Sequence, residues 1–314
     1  MLVIVEGPDG AGKSTLVEKL RAVIHQRYPG EKVEVLRKRP PAKGSHPLDE
    51  YETPLLSYRP RQGHHIICDR WSWGEWVYPD VLGRKTLADR ASWYHIELFL
   101  QARGAVIVYM NEPVDVLQRR VIARGDDLVK PFQLEKISQR YDFTAQTSLL
   151  PQWAITPHSG RIVSWAESAE REHVGHNSYV TYVGQRFPNT VLLGDVRHNT
   201  FEGDLRPAFM PYRGTSGHYL LTHLRREQLN DVGILNACDV DDVNWFTDQH
   251  TTHDVSYVAL GQNAHKKMRN LGKDQPGVPH PALIRRFHHA AGQQYAEVIQ
   301  RVAMTREDLI TWRP

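Results

Sequence analysis

Cysteine is scarce in this 314-residue chain: there are two, Cys68 and Cys238, far apart and in apolar surroundings. That excludes a disulfide framework and a cysteine-knuckle metal site, and it suits a reducing compartment. Long hydrophobic runs are missing as well, and none nears the ~18 residues of a membrane-spanning segment. The opening MLVIVEGPDG lacks the basic start and extended apolar core of a secretory leader. A cytoplasmic protein with no membrane partner is therefore expected. Charge of one sign is also in short supply, since 39 Lys and Arg face 36 Asp and Glu for a formal +3. So slight an excess suits a phosphate-bearing partner without identifying nucleic acid. What is plentiful is histidine, at 17 residues, so the charge climbs as pH falls through about 6.5. With 40% hydrophobic and 24% charged residues, the chain is ordinary globular material, long enough for two modest domains.

Short apolar runs alternate with helical patterns through the first half. Strands are expected at 2–5, 32–36, 65–68 and 105–110, and helices at 14–26, 87–103, 114–123 and 131–150. Strands separated by helices at this spacing predict an α/β fold, a parallel sheet with helices on both faces. The alternation breaks near 151–160, and a polar stretch containing SWAESAEREH follows. A second alternation then places strands at 190–193, 232–235 and 256–260, with helices at 216–228 and near 293–302. The expected organisation is a first domain over 1–160, a helical linker over 161–187 and a smaller second α/β domain over 188–314. A single continuous domain is the alternative.

The most specific motif is Gly7-Pro8-Asp9-Gly10-Ala11-Gly12-Lys13-Ser14, which satisfies G-x-x-x-x-G-K-[ST] at every fixed position. It follows an apolar strand and precedes a helix, as a P-loop must. The glycines let the backbone curl so that its N–H groups face phosphate oxygens. The helix adds the positive end of its dipole. Lys13 neutralises the β- and γ-phosphates, and the Ser14 hydroxyl is a Mg²⁺ ligand. Gly7, Asp9, Gly10, Ala11, Gly12, Lys13, Ser14 and Thr15 are thus the expected ATP-binding residues, with ATP and Mg²⁺ as cofactors.

EGPDGAGKST resembles the opening of thymidylate kinases and related deoxynucleotide kinases, with Glu6 before the loop and Asp9 within it. ICDRW at 67–71 is similar to that family's Asp-Arg-aromatic motif. The resemblance implies that Arg70 grips the acceptor phosphate, while Asp69 lies near the metal and the nucleophilic oxygen. A surface ion pair at a strand end is the other reading. LRKRPP at 36–41 looks like a degraded Arg-x-Pro acceptor loop and puts Arg39 at the acceptor; a solvated turn is the alternative. Arg119, Arg120 and Arg124 fall where such kinases carry a mobile lid, whose cations stabilise the transferred phosphoryl group. A solvated basic helix end competes with that reading. Catalytic roles are expected for Lys13, Asp69, Arg70 and Arg124, and acceptor contacts for Asp9, Arg39, Arg70, Trp71 and Arg120. Trp71, Trp73, Trp76 and Tyr78 form either a stacking platform for the acceptor base or ordinary core. The lid sequence usual in bacterial thymidylate kinases is not reproduced.

From Val191 onward the chain resembles the uracil-DNA glycosylase superfamily, in four pieces that occur in order. These are LLGD at 192–195, PYRGTSGHYLL at 211–221, ALGQNAHKKM at 259–268 and GVPHPALIRRF at 277–287. The resemblance implies a pyrimidine pocket built from Asp195, Tyr212, Asn236 and His280, with Asn236 pairing the base edge. GDVRHN departs from the family's Pro-containing water-activating turn, which favours base binding over glycosidic cleavage. The run Arg285-Arg286-Phe287-His288-His289 is a candidate DNA-backbone contact.

The expected function is ATP-dependent phosphorylation of a pyrimidine deoxynucleotide, dTMP or a modified dUMP, with a C-terminal base-recognising domain. The first alternative is a kinase acting on 5-hydroxymethyl-uracil within DNA, since a kinase joined to a pyrimidine-reading fold resembles phage DNA-modification machinery. The second is base excision with an attached ATP-binding module. Expected partners are ATP, a pyrimidine nucleotide or base and, through the second half, DNA. A homodimer stays open.

Overall fold

A computed structural model describes residues 1–38, 45–58, 63–86, 88–125, 129–155, 182–184, 188–194, 208–237, 243, 255–273 and 275–314. By contact the chain divides into two compact units, Met1–Ala88 with Arg103–Asn177, and Asp89–Ala102 with Ser178–Pro314.

The first unit holds a parallel sheet of β1 (Leu2–Glu6), β2 (Lys32–Arg37), β3 (His64–Asp69), β4 (Ala105–Met110) and β5 (Gln152–Ile155), in the order β2-β3-β1-β4-β5. Every neighbouring pair is parallel. β1 and β4, LVIVE and AVIVYM, are buried at every position, as expected of central strands covered on both faces. Around them run α1 (Lys13–Arg27), α2 (Pro47–Tyr51), α3 (Gly74–Leu82), α5 (Val114–Arg124) and α6 (Leu134–Thr147).

Three elements here were not expected, α2 (Pro47–Tyr51) being the first. β5 forms where the alternation seemed to stop, because four residues after Pro151 suffice to extend the sheet beside Ile107–Met110. α3 forms within the aromatic stretch, despite Pro79 inside it. The expected helix at 87–103 is α4 (Arg90–Ala102), and it clusters with the second unit. All twelve residues from Ala91 to Ala102 are buried. Ser92, His95, Glu97 and Gln101 are buried along with its apolar residues, so the helix has no solvent-facing polar side to say which sheet it serves.

The second unit holds β6 (Val183–Gly184), β7 (Thr190–Gly194), β8 (Val232–Asn236), β9 (Ser256–Leu260) and β10 (Gly277–Val278), in the order β10-β9-β7-β8-β6. β7, β8, β9 and β10 are parallel, and β6 runs antiparallel beside β8. Its helices are α7 (Ser216–His223), α8 (Arg226–Leu229), α9 (Gln262–Asn270), α10 (Pro281–Phe287) and α11 (Gly292–Thr305). α4 packs on β6 and α7 within this unit. The core gathers Ala102 with Tyr182, Val191, Leu193, Leu235, Ala259, Ala264 and Met268.

Two further expectations change. The helix expected at 216–228 is broken, because Leu224 and Arg225 take extended backbone (ψ 136° and 158°) between α7 and α8. Of the expected linker at 161–187, Val183 and Gly184 belong to the second sheet, where Val183 pairs with Ile234, and Tyr182 lies in its core; the remainder lies outside the described residues. Among the described residues, no helix is long and apolar enough to cross a membrane.

Candidate active site

β1 delivers the chain directly into the glycine loop, and α1 leaves it. Gly7 has φ +146°, and a Cβ there would sit 2.7 Å from the Met110 carbonyl oxygen, so only glycine lets the loop pass β4 this closely. Gly12, at φ +90°, precedes α1 in left-handed conformation, and no side chain caps the helix. Its first turn, Lys13-Ser14-Thr15-Leu16, contains no acidic residue. The N–H groups that a cap normally satisfies, and the positive helix end, are therefore directed at whatever the loop holds. That arrangement fits a triphosphate.

Lys13 is buried, and its Nζ donates to the carbonyl oxygens of Gly7 (2.7 Å) and Pro8 (2.6 Å). Burial pulls its pKa down to about 8; Arg70 lowers it further, and the carboxylates of Asp9, Glu6 and Asp69 work against this. The ammonium is thus poorly solvated and gains most when an anion enters.

β3 lies beside β1, with Val5 opposite Asp69, so the ends of the two strands open side by side. The Ser14 hydroxyl donates to Asp69 Oδ2 at 3.2 Å. A hydroxyl and a carboxylate this close are hard oxygen donors of the kind Mg²⁺ accepts, with water and phosphate oxygens completing its shell. Arg37 Nε stands 3.7 Å from the same Oδ2.

Arg70 adopts φ +66°, a conformation that costs a non-glycine residue roughly 1–2 kcal/mol. Its N–H still donates to the Val5 carbonyl at 3.1 Å, the last bond in this direction before the chain turns away. Its guanidinium pairs with the carboxylate of Asp9 in the loop. Tyr78 on α3 donates its hydroxyl to the other Asp9 oxygen at 2.9 Å. Burial alone raises the Asp9 pKa, but Lys13, Arg70 and the Tyr78 hydroxyl outweigh it and hold the carboxyl below its ordinary value. Burial pushes the Tyr78 hydroxyl far up, so it stays a donor.

Glu6 closes the group from beneath. Its Oε1 accepts from the backbone N–H of Trp71 (2.8 Å) and of Trp73 (3.2 Å). Burial raises its pKa to about 7, against the opposing pull of the Trp71 amide, Lys13, the Trp73 amide and Arg70.

Lys13, Ser14, Asp69, Arg70 and Asp9 therefore converge, and Gly10, Ala11 and Thr15 sit on the same loop and helix turn. Other expected residues fall elsewhere. Trp71 is 2% exposed, edge-on to Tyr51 and capped by the Lys38 ammonium, and Trp73 is fully buried. They form core rather than a platform open to an acceptor base, because the turn after Arg70 folds inward onto Glu6. Arg120 does not face outward as a lid residue; it donates to the Gly10 carbonyl (2.9 Å) and to the buried Glu112 (3.4 Å), bracing the loop. Arg124 is exposed at the last turn of α5. Arg39 lies outside the described residues. Glu112 was missed as a site residue; Glu6 was noted only as the acid before the loop, and Tyr78 only among the aromatics after Arg70, not as a partner of Asp9.

In the second unit, the turns singled out in the sequence gather at the carboxyl ends of the parallel strands. Asn236, 2% exposed, ends β8 opposite Gly194 at the end of β7. A Cβ on Gly194 would overlap the Phe209 ring, which lies 6.3 Å from the His280 ring. Gly261, after β9, approaches the same histidine, since a Cβ there would lie 2.8 Å from His280 Cβ. His280 caps α10 by accepting from Ala282 N–H at 3.2 Å. The Tyr212 carbonyl receives the Thr215 hydroxyl at 2.7 Å and is part of the turn into α7. Asp195 lies outside the described residues.

No family model and no curated protein sequence matches the chain. Solved structures similar to it include the YorR protein from Bacillus subtilis in complex with phosphorylated GDP, at 21% identity, covering 56% of this chain and 100% of that one, with a TM-score of 0.45. Deoxyadenosine kinase from M. mycoides with products dCMP and dCDP is 16% identical, covers 55% of this chain and 98% of its own, and gives a TM-score of 0.32. Polyphosphate Kinase 2 from Arthrobacter aurescens is 18% identical over 55% of this chain and 65% of that one, at a TM-score of 0.38. The similarity to these three structures spans about half of this chain, 55–56% of it.

Proposed function

We propose that the chain is a P-loop phosphotransferase that moves the γ-phosphoryl group of ATP onto a pyrimidine deoxynucleotide, dTMP or a modified dUMP, with its second unit recognising the base. The observation that carries this is the 3.2 Å approach of Ser14 to Asp69 beside the uncapped start of α1, with Arg70 on the next residue. In this reading the loop N–H groups and Lys13 hold the β- and γ-phosphates, and Ser14 and Asp69 hold Mg²⁺. Arg70 leaves Asp9 to grip the acceptor oxyanion, since a guanidinium fork matches phosphate geometry. An acceptor oxygen then bonds to the γ-phosphorus as the bond to the β–γ bridging oxygen breaks, and ADP departs. A phosphate acceptor is already ionised. A hydroxyl acceptor also sheds a proton, which in this reading passes to Asp69, the carboxylate beside Arg70 in the chain.

A second reading keeps the chemistry and changes the acceptor to 5-hydroxymethyl-uracil within DNA. It is favoured by the placement of Asn236, Gly261 and His280 at the carboxyl ends of the second sheet's strands, where α/β folds build ligand sites. An Asn amide reads a pyrimidine edge, and a histidine beside it can bond a base carbonyl.

The test is incubation with ATP and Mg²⁺ in the presence of dTMP, 5-hydroxymethyl-dUMP or 5-hydroxymethyl-uracil DNA. Transfer to either mononucleotide supports the first reading, and transfer to DNA alone replaces it with the second. Failure to phosphorylate any of the three overturns both, and release of free uracil from uracil-containing DNA overturns the reading of the second unit as one that binds a base without cleaving it.

A further inference from the structure

We propose that Glu6 is a positioning residue for phosphoryl transfer, which holds the Asp69–Arg70 turn in register with the phosphate loop through the Trp71 and Trp73 amides. This deepens the reading above and rests on it.

Glu6 is the last residue of β1 and directly precedes Gly7, so its backbone belongs to the phosphate loop's approach. Its side chain instead serves the neighbouring strand. The ladder between β1 and β3 ends with Val5 opposite Asp69 and the Arg70 N–H on the Val5 carbonyl. Beyond that point Arg70 turns left-handed and the strand pairing ceases. Trp71 and Trp73 are buried at 2% and 0% exposure, out of reach of solvent. One oxygen of Glu6 takes both of their N–H groups, at 2.8 and 3.2 Å. Buried amides demand partners, and this carboxylate supplies them across 65 and 67 residues of chain.

The position is otherwise apolar. Leu2, Val3, Ile4 and Val5 precede Glu6 in a strand buried throughout, so an aliphatic residue would suit packing better than a fully buried acid. The acid's evident work is to fasten the turn. That turn carries Asp69, bonded to Ser14, and Arg70, bonded to Asp9. Glu6 therefore ties the acceptor-gripping residue to the donor-binding loop without touching either substrate.

The test compares Glu6→Ala, Glu6→Gln and Glu6→Asp in steady-state transfer, varying ATP and acceptor separately. Glutamine keeps an acceptor oxygen in place, aspartate shortens the reach, and alanine removes the bond. A displaced turn costs on the order of tenfold to a hundredfold in rate. Glu6→Ala is expected to raise the acceptor KM about tenfold or more, with the ATP KM within about twofold. Glu6→Gln should recover most of the loss, and Glu6→Asp should fall between. Equal defects in the alanine and glutamine variants, or parallel rises in both KM values, overturn the proposal. If alanine does not fold, the glutamine and aspartate variants decide on the same terms. If the wild-type protein transfers phosphate to no acceptor, the proposed reaction fails, and Glu6 is judged by amide exchange. Faster exchange at Trp71 and Trp73 in the aspartate variant but not in the glutamine variant still supports the anchor; unchanged exchange in both removes it.

Discussion

Arg70 and Asp9 are bonded to each other, so the turn after β3 and the phosphate loop after β1 are joined by side chains of opposite charge. An acceptor phosphate approaching Arg70 competes with Asp9 for the same guanidinium. Because Asp9 is largely buried while the Arg70 side chain is 42% exposed, the pair is partly screened. A double-mutant cycle with Asp9→Asn and Arg70→Gln, read by thermal unfolding, should return a coupling of about 1 kcal/mol. A coupling indistinguishable from zero would show that the pair does not hold the two segments together.

In the proposed reaction, Lys13→Ala should reduce phosphoryl transfer by at least a hundredfold or so, because it removes the cation assigned to the β- and γ-phosphates. Its two bonds are to carbonyls of its own loop, so the melting temperature should move little. A variant that retains most of its rate, measured by release of ADP with acceptor present, would remove the loop from the chemistry.

Ser14→Ala and Asp69→Asn should each raise the Mg²⁺ concentration needed for half-maximal rate. Both oxygens belong to the site where the ion is expected, and losing one leaves water to complete the shell. The measurement is rate against Mg²⁺ at saturating ATP. Identical curves for the wild type and both variants would refute the assignment.

Glu6 gives the fold a pH dependence. Its folded pKa is raised to about 7 from an ordinary value of 4.5, chiefly by burial. Between those values the folded chain keeps a proton that the unfolded chain has lost, so stability is fullest below about 4.5 and declines as pH rises through 7. Glu6→Gln cannot titrate. The melting temperature of the wild type minus that of Glu6→Gln should therefore fall across this window, and a flat difference would refute the assignment.

The phosphate loop was legible because its meaning is local: eight consecutive residues, a strand before and a helix after. Asp69 and Arg70 were legible for the same reason, as a charged pair closing an apolar strand. What surrounds them was not. Arg120 reaches Gly10 across 110 residues, and Glu6 reaches Trp71 across 65, and no spacing in the sequence marks such partners. The tryptophans after Arg70 read equally well as platform or core until the inward turn decided between them. The strands of the second sheet were visible by alternation, yet its antiparallel edge β6 was hidden in a segment read as linker. The helix 87–103 was found within a few residues, but not its allegiance.

That allegiance bears on how the protein is made. Residues 89–102 belong to a unit whose other strands and helices are encoded from Ser178 onward. During synthesis α4 leaves the ribosome first, then β4, α5, α6 and β5, and only afterwards the strands that cover it. Its buried apolar side chains, Trp93, Ile96, Leu98, Phe99 and Leu100 among them, wait through all of that, a surface of the kind that chaperones shield. A gene shortened to its first 160 codons would leave that surface waiting permanently. The second unit is completed by returning to a part of the chain already produced.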